Sequence, residues 1–172
     1  MRIHVATDHA GLEFAQTLIA HLAEQGHEVT DHGPETYEPL DDYPSFCIAA
    51  ARAVVSDQSE GLESLGVVFG GSGNGEQIAA NKVEGVRAAL AWNMSTAQLA
   101  RQHNDANVVA IGARQHSEDE AIALIDEFIK TPFSFEERHE RRIAQLAEYE
   151  TTGAIKGHPV DWVTPTQTPA AD

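Results

Sequence analysis

The chain has 172 residues, 42% of them apolar, and a net charge of −16, which suits one domain with a sizeable core. A field of that sign excludes duplex nucleic acid and anionic membrane as partners, and no apolar run approaches the roughly 20 residues of a membrane span. The start, MRIHVATDHAG, has no signal-peptide core, and the one cysteine, Cys47, leaves no disulfide framework or multi-cysteine metal site, so a cytoplasmic location is expected.

In chain order, short β-type runs alternate with longer helical segments. Arg2 to Thr7 is a first strand, followed by an amphipathic helix from about Ala10 to Glu24. His27 to Asp31 gives a second strand. The loop HGPETYEPLDDYP then leads into a helix from about Ser45 to Ser56, with Cys47 on its apolar face as a small buried hydrophobe. Leu65 to Phe69 is a continuous apolar run, the pattern of a central strand covered on both faces. A glycine turn and a helix through about Asn81 follow, then a strand Val86 to Leu90, a helix Ser95 to His103 and a strand Asn107 to Ile111. Two helices close the domain, each opened by a Ser-x-x-Glu capping signature, Ser117 with Glu120 and Ser134 with Glu137. Residues 1–150 are expected to form one domain. Residues 151–172, Thr/Pro-rich and aperiodic, are expected to form a flexible or partner-clasping extension.

This order predicts an α/β fold: a Rossmann-like three-layer sandwich with a five-stranded parallel sheet and an extra C-terminal helix. Ligands of such sheets bind outside the carboxyl ends of the strands. Asp8 and His9 after the first strand, Gly70 to Glu76 after the third and Gly112 to Arg114 after the fifth should therefore share one rim.

The stretch VVFGGSGNGEQIAANK places four glycines in six residues, from Gly70 to Gly75, ahead of Glu76. Dinucleotide binding needs G-x-G-x-x-G after the first strand, and a Walker A loop needs Lys-Ser/Thr where this chain has Glu76-Gln77. Both nucleotide readings weaken. What remains is a cradle of backbone N–H groups that can stabilise an oxyanion, with Glu76 as the base that creates it, although an acid in a first helical turn can also simply complement the helix dipole.

The other candidates carry similar alternatives. Asp8 can cap a helix and His9 can be a surface residue. His103, with Asn104 at a helix end, can merely stabilise the dipole, yet it is the best available general acid/base near neutral pH. In ERHERRI, Arg138 and Arg142 are i,i+4 and share a face, so they can bind a phosphate or lie paired with glutamates in solvent. His4, His21, His27, His32, His116 and His158 show no paired spacing, and no metal site is expected.

Together, ATDHAG, GGSGNGEQIAANK, ARQHNDANVVAIGAR and RHERRI occur in the order found in the type B ribose-5-phosphate isomerases of the ribose/galactose isomerase family. The chain resembles that family over about residues 1–150. Many of its members carry a cysteine base at the end of the third strand. Here Gly70 stands at that position, and the chain resembles the subgroup in which a glutamate, Glu76, takes over.

The resemblance implies interconversion of D-ribose 5-phosphate and D-ribulose 5-phosphate through an enediolate, without metal or organic cofactor. A hexose 6-phosphate such as allose or galactose 6-phosphate is the alternative substrate, and a non-catalytic phosphosugar-binding module is a more distant one. It also implies a homodimer with active sites shared between subunits, or a tetramer built from it. In that reading Glu76 and His103 are catalytic, with Asp8 near His103 in ring opening. The amides of Gly71, Ser72, Gly73, Asn74 and Gly75 meet the oxyanion, Asn104 holds sugar hydroxyls, and His9, Arg114, Arg138 and Arg142 bind the phosphate, the two last from the other subunit.

Overall fold

A computed structural model gives the structure of residues 1–157. Its elements run β1 (Arg2–Thr7), α1 (Leu12–Glu24), β2 (Glu28–Asp31), α2 (Tyr43–Ser59), β3 (Ser64–Gly70), α3 (Asn74–Ala80), β4 (Ala88–Leu90), α4 (Met94–Asn104), β5 (Val108–Gly112), α5 (Glu118–Lys130) and α6 (Glu137–Thr152). None of these helices is long and apolar enough to cross a membrane.

All five strands pair in parallel, in the order β2-β1-β3-β5-β4. Because successive strand residues point to opposite faces, each central strand feeds two cores. Ile3, Val5, Leu65, Val67, Phe69, Val109 and Ile111 pack on one face with residues of α1, α4 and α5 such as Leu18, Ala97 and Phe128. Ala6, Val68, Val108 and Ala110 pack on the other with Cys47 and Val54 of α2 and Ala79 and Ala80 of α3. This is the Rossmann-like three-layer α/β architecture the alternation predicts. β1 and β3 are neighbours, but the chain leaves β1 for β2 on one side and β3 for β4 on the other. Such a switch point opens a crevice at the carboxyl ends of the two strands.

The capping signature at Ser117 is used: its hydroxyl accepts from the Glu120 N–H, and the Glu120 carboxylate accepts from the Ser117 N–H. The one at Ser134 is not. Phe135 takes a left-handed conformation (φ 53°), and the helix starts after it, with Glu136 as an N-cap whose side chain makes no capping bond.

Residues Met1–Phe135 form one compact unit, and a second begins at Glu136 and contains α6. That helix takes in Thr151 and Thr152 and stops at Gly153, whose φ of 73° is the left-handed helix terminator. The expected extension therefore loses its first two residues to the helix, and from His158 on it lies outside the described residues.

Candidate active site

Strand β3 ends at Gly70, and the chain turns through Gly71, Ser72 and Gly73 into α3. The turn requires glycine at Gly73. Its φ is 79°, and a β-carbon there would lie 2.8 Å from the Ile111 carbonyl carbon. Gly75 is required for a different reason, since a β-carbon would lie 2.5 Å from the Tyr43 ring at the start of α2. The consequence is a short helix pressed against the sheet, with Glu76 turned inward and only 4% exposed.

The Glu76 carboxylate reaches back over the end of β3. A β-carbon at Gly70 would collide with it, and would also lie 3.3 Å from Asp8 Oδ1. The two carboxylates thus flank the same glycine, Asp8 from the end of β1 and Glu76 from the first turn of α3. Burial pushes the Glu76 carboxyl above its ordinary range; the charge of Asp8 adds to this, while the backbone N–H groups of Glu76 and Gly73 oppose it by donating to the carboxylate.

Cys47 is fully buried beneath this pair. Burial pushes its thiol up to about 12, and the charges of Glu76 and Asp8 act in the same direction. The sequence suggests a small buried hydrophobe. The structure agrees on the burial but puts Cys47 close enough to the two acids to feel their charge. A thiol that stays protonated is no nucleophile.

Asp8 is buried and its Oδ1 accepts from the Ala10 N–H at 2.9 Å, closing the turn after β1; the helix cap itself is Gly11. His9 follows on the rim. Arg114, after β5, donates its N–H to the Gly71 carbonyl, and its side chain lies 3.8 Å from where a β-carbon of Gly71 would be. Ser72 and Asn74 line a cavity of about 420 Å³ beside Leu90, Trp92 and His116. The rim rule thus brings together Asp8, His9, Gly70 to Glu76 and Arg114.

His103 and Asn104 are elsewhere. They end α4, which runs back from the carboxyl end of β4. The Asn104 carbonyl accepts from Arg87 Nε at 2.9 Å, and Arg87 immediately precedes β4. Both residues therefore lie at the amino ends of the strands, a strand length of about 20 Å from Glu76 of the same chain. Arg138 and Arg142 lie exposed on α6 in the second unit, and Arg138 Nε pairs with Glu136 at 2.9 Å.

Two residues absent from the sequence reading contribute to the rim. Asp41 accepts from His9 Nδ1 at 2.6 Å and from its backbone N–H, and Tyr43 walls the glycine turn. In EPLDDYP only the aspartates before a helix gave a hint, and that hint is of a cap. Among the described residues, Asp8, His9 and Asp41 are the one group that could hold a cation, their ligand atoms lying within 4.8 Å of one another.

Residues 3–146 match the ribose/galactose isomerase family. The chain belongs to that family. Among its ribose/galactose isomerase relatives, ribose-5-phosphate isomerase B of Mycolicibacterium paratuberculosis is 56% identical over 152 residues, 88% of this chain and 93% of its own. The Mycobacterium tuberculosis protein of the same name is 55% identical, covering 88% of this chain and 91% of its own. The structure of ribose-5-phosphate isomerase B from Mycoplasma genitalium, which holds bound ribulose 5-phosphate, superposes with a TM-score of 0.81 at 38% identity, over 88% of this chain and 97% of its own.

Proposed function

We propose that the chain interconverts D-ribose 5-phosphate and D-ribulose 5-phosphate, with Glu76 as the base. The observation that carries this reading is the Glu76 carboxylate: buried, with its pKa raised by that burial, and filling the space a side chain at position 70 would need. It supports assignment to the subgroup that uses a glutamate in place of the cysteine base. The family membership and the ribose-5-phosphate isomerases at 51–56% identity support the substrate.

In the open-chain aldose, Glu76 takes the proton from C2. The electron pair moves into the C1–C2 bond and the carbonyl oxygen becomes the oxyanion of an enediolate. Return of the proton to C1, with transfer of the hydroxyl proton between the two oxygens, gives the ketose, so the reaction balances within the sugar and draws on no cofactor. A buried carboxylate of raised pKa suits both halves of this exchange. The amides of the turn from Gly71 to Gly75 supply the cradle for the oxyanion.

His9 and Arg114 bind the phosphate, joined by Arg138 and Arg142 of a second copy. His103 protonates the ring oxygen for opening, with Asp8 as its counterpart, and Asn104 holds sugar hydroxyls. Since His103 and Asn104 are a strand length from Glu76 of their own chain, a second copy supplies them. That is the physical case for a homodimer with shared sites.

The test is a coupled isomerase assay with ribose 5-phosphate on wild type and Glu76→Gln. A loss of kcat by about 10²-fold or more with KM nearly kept is expected for a group used chiefly in the transition state. Near-normal turnover of the variant would end the assignment.

A further inference from the structure

His9 is held more firmly than a rim histidine needs to be. The Asp41 carboxylate takes two kinds of hydrogen bond from it. The ring Nδ1 lies 2.6 Å from Oδ1, and the backbone N–H donates to both oxygens at 3.1 and 3.2 Å. The Asp41 side chain is only 9% exposed, that of His9 23%. Asp41 is itself fixed by chain geometry: its N–H donates to the Glu38 carbonyl, and it directly precedes Asp42, the N-cap of α2. Tyr37, from the same loop, sets its ring perpendicular to the imidazole with centroids 5.9 Å apart.

An ionised carboxylate can only accept. Contact with Nδ1 therefore puts a proton on that nitrogen and leaves Nε2 as the one ring atom able to meet a ligand. The bond to the backbone N–H fixes the main chain, and the bond to the ring fixes its rotation. Between them, the direction of Nε2 is set before any ligand arrives.

We infer that Asp41 is a positioning residue, which aims His9 Nε2 at the substrate's phosphate: the ring donates to Asp41 from Nδ1 and, carrying its second proton, to the phosphate from Nε2. This rests on the reading above that His9 meets the phosphate. The phosphate is remote from C1 and C2, so what Asp41 contributes is felt equally by bound substrate and transition state. Its loss belongs in KM and leaves kcat alone.

The experiment is a double-mutant cycle on the full chain with wild type, Asp41→Ala, His9→Ala and the double variant. It measures kcat and KM for ribose 5-phosphate and the inhibition constant of inorganic phosphate. Asp41→Ala is expected to raise KM and the phosphate constant by about tenfold, the scale on which loss of an orienting hydrogen bond is felt, with kcat within about twofold. In the His9→Ala background the same substitution should change nothing further. Additive losses, or an Asp41→Ala variant with wild-type KM beside a His9→Ala variant with raised KM, would overturn the inference alone. If His9→Ala leaves both constants unchanged, the phosphate reading of His9 fails and the inference falls with it. Nitrogen NMR of the wild-type His9 ring needs no variant: an Nδ1 that carries no proton would refute its bond to Asp41.

Discussion

Gly70 and Glu76 share one small volume, and that exclusion links two positions that sequence presents as separate facts. A side chain at 70 and a carboxylate folded back from 76 cannot both occupy the end of β3. Gly70 has no left-handed φ to require glycine, so its reason is spatial. Gly70→Ala should leave the fold intact, because the atoms in the way are the far end of a flexible side chain, yet it should push the proposed base off its station. A displacement of about 1 Å in a reacting group can cost on the order of 10²-fold. The expected result is that loss in kcat with little change in melting temperature, read from the isomerase assay and thermal circular dichroism. Wild-type kcat in Gly70→Ala would mean that the position of the Glu76 carboxylate does not govern the rate. The turn and its acid were legible because they are contiguous. Asp41 and Cys47 were not, because their relation to His9 and Glu76 is made by packing across 32 and 29 positions of chain.

At the scale of elements, strand and helix positions followed from periodicity, while contacts between elements did not. Histidines 28 positions apart show no pattern in sequence. Once β1 and β2 pair, however, His4 Nδ1 and His32 Nε2 stand 2.9 Å apart. His4 Nε2 lies 2.9 Å from Asp57 Oδ2 at the end of α2, and Arg2 donates to the other oxygen at 2.8 Å. With both rings neutral, the ionised Asp57 accepts from His4, and His4 accepts from His32. Burial holds His32 below its ordinary pKa, His4 adds to this and Asp31 opposes it. Below about pH 6.5 the unfolded chain therefore binds a proton that the folded chain refuses, and stability falls as pH drops through that window. Asp57, held low chiefly by its bond from His4, acts in a separate range. The stability it contributes is present above the ordinary aspartate pKa and is lost in stronger acid. His32→Gln keeps a donor for His4 and removes the titration. Its melting temperature should fall less than wild type's between about pH 7.5 and about pH 5.5; an equal fall would place the sensitivity elsewhere.

For the molecule as a whole, the decisive fact is that one chain holds the two proposed catalytic residues at opposite ends of its sheet. The rim rule found Asp8, His9, Glu76 and Arg114, since strand ends are fixed by topology. It could not join His103 to them, because α4 returns its C-terminus to the amino ends of the strands. A second copy can resolve this if it presents its α4 end to the first copy's glycine turn. By two-fold symmetry the contact is then repeated, giving two shared sites. Exposed apolar side chains on the first unit, Ile78, Trp92 and Met94 among them, are surface that such an association could cover.

The arrangement is tested by complementation. Glu76→Gln and His103→Ala should each be impaired as homodimers. In a mixed dimer, one site combines Glu76 of the second variant with His103 of the first and is intact, while the other carries both lesions. Random pairing makes half of the dimers mixed, so co-refolding equal amounts should restore about a quarter of wild-type turnover. Sites confined to single chains would contain a lesion in every copy, and mixing would then restore nothing.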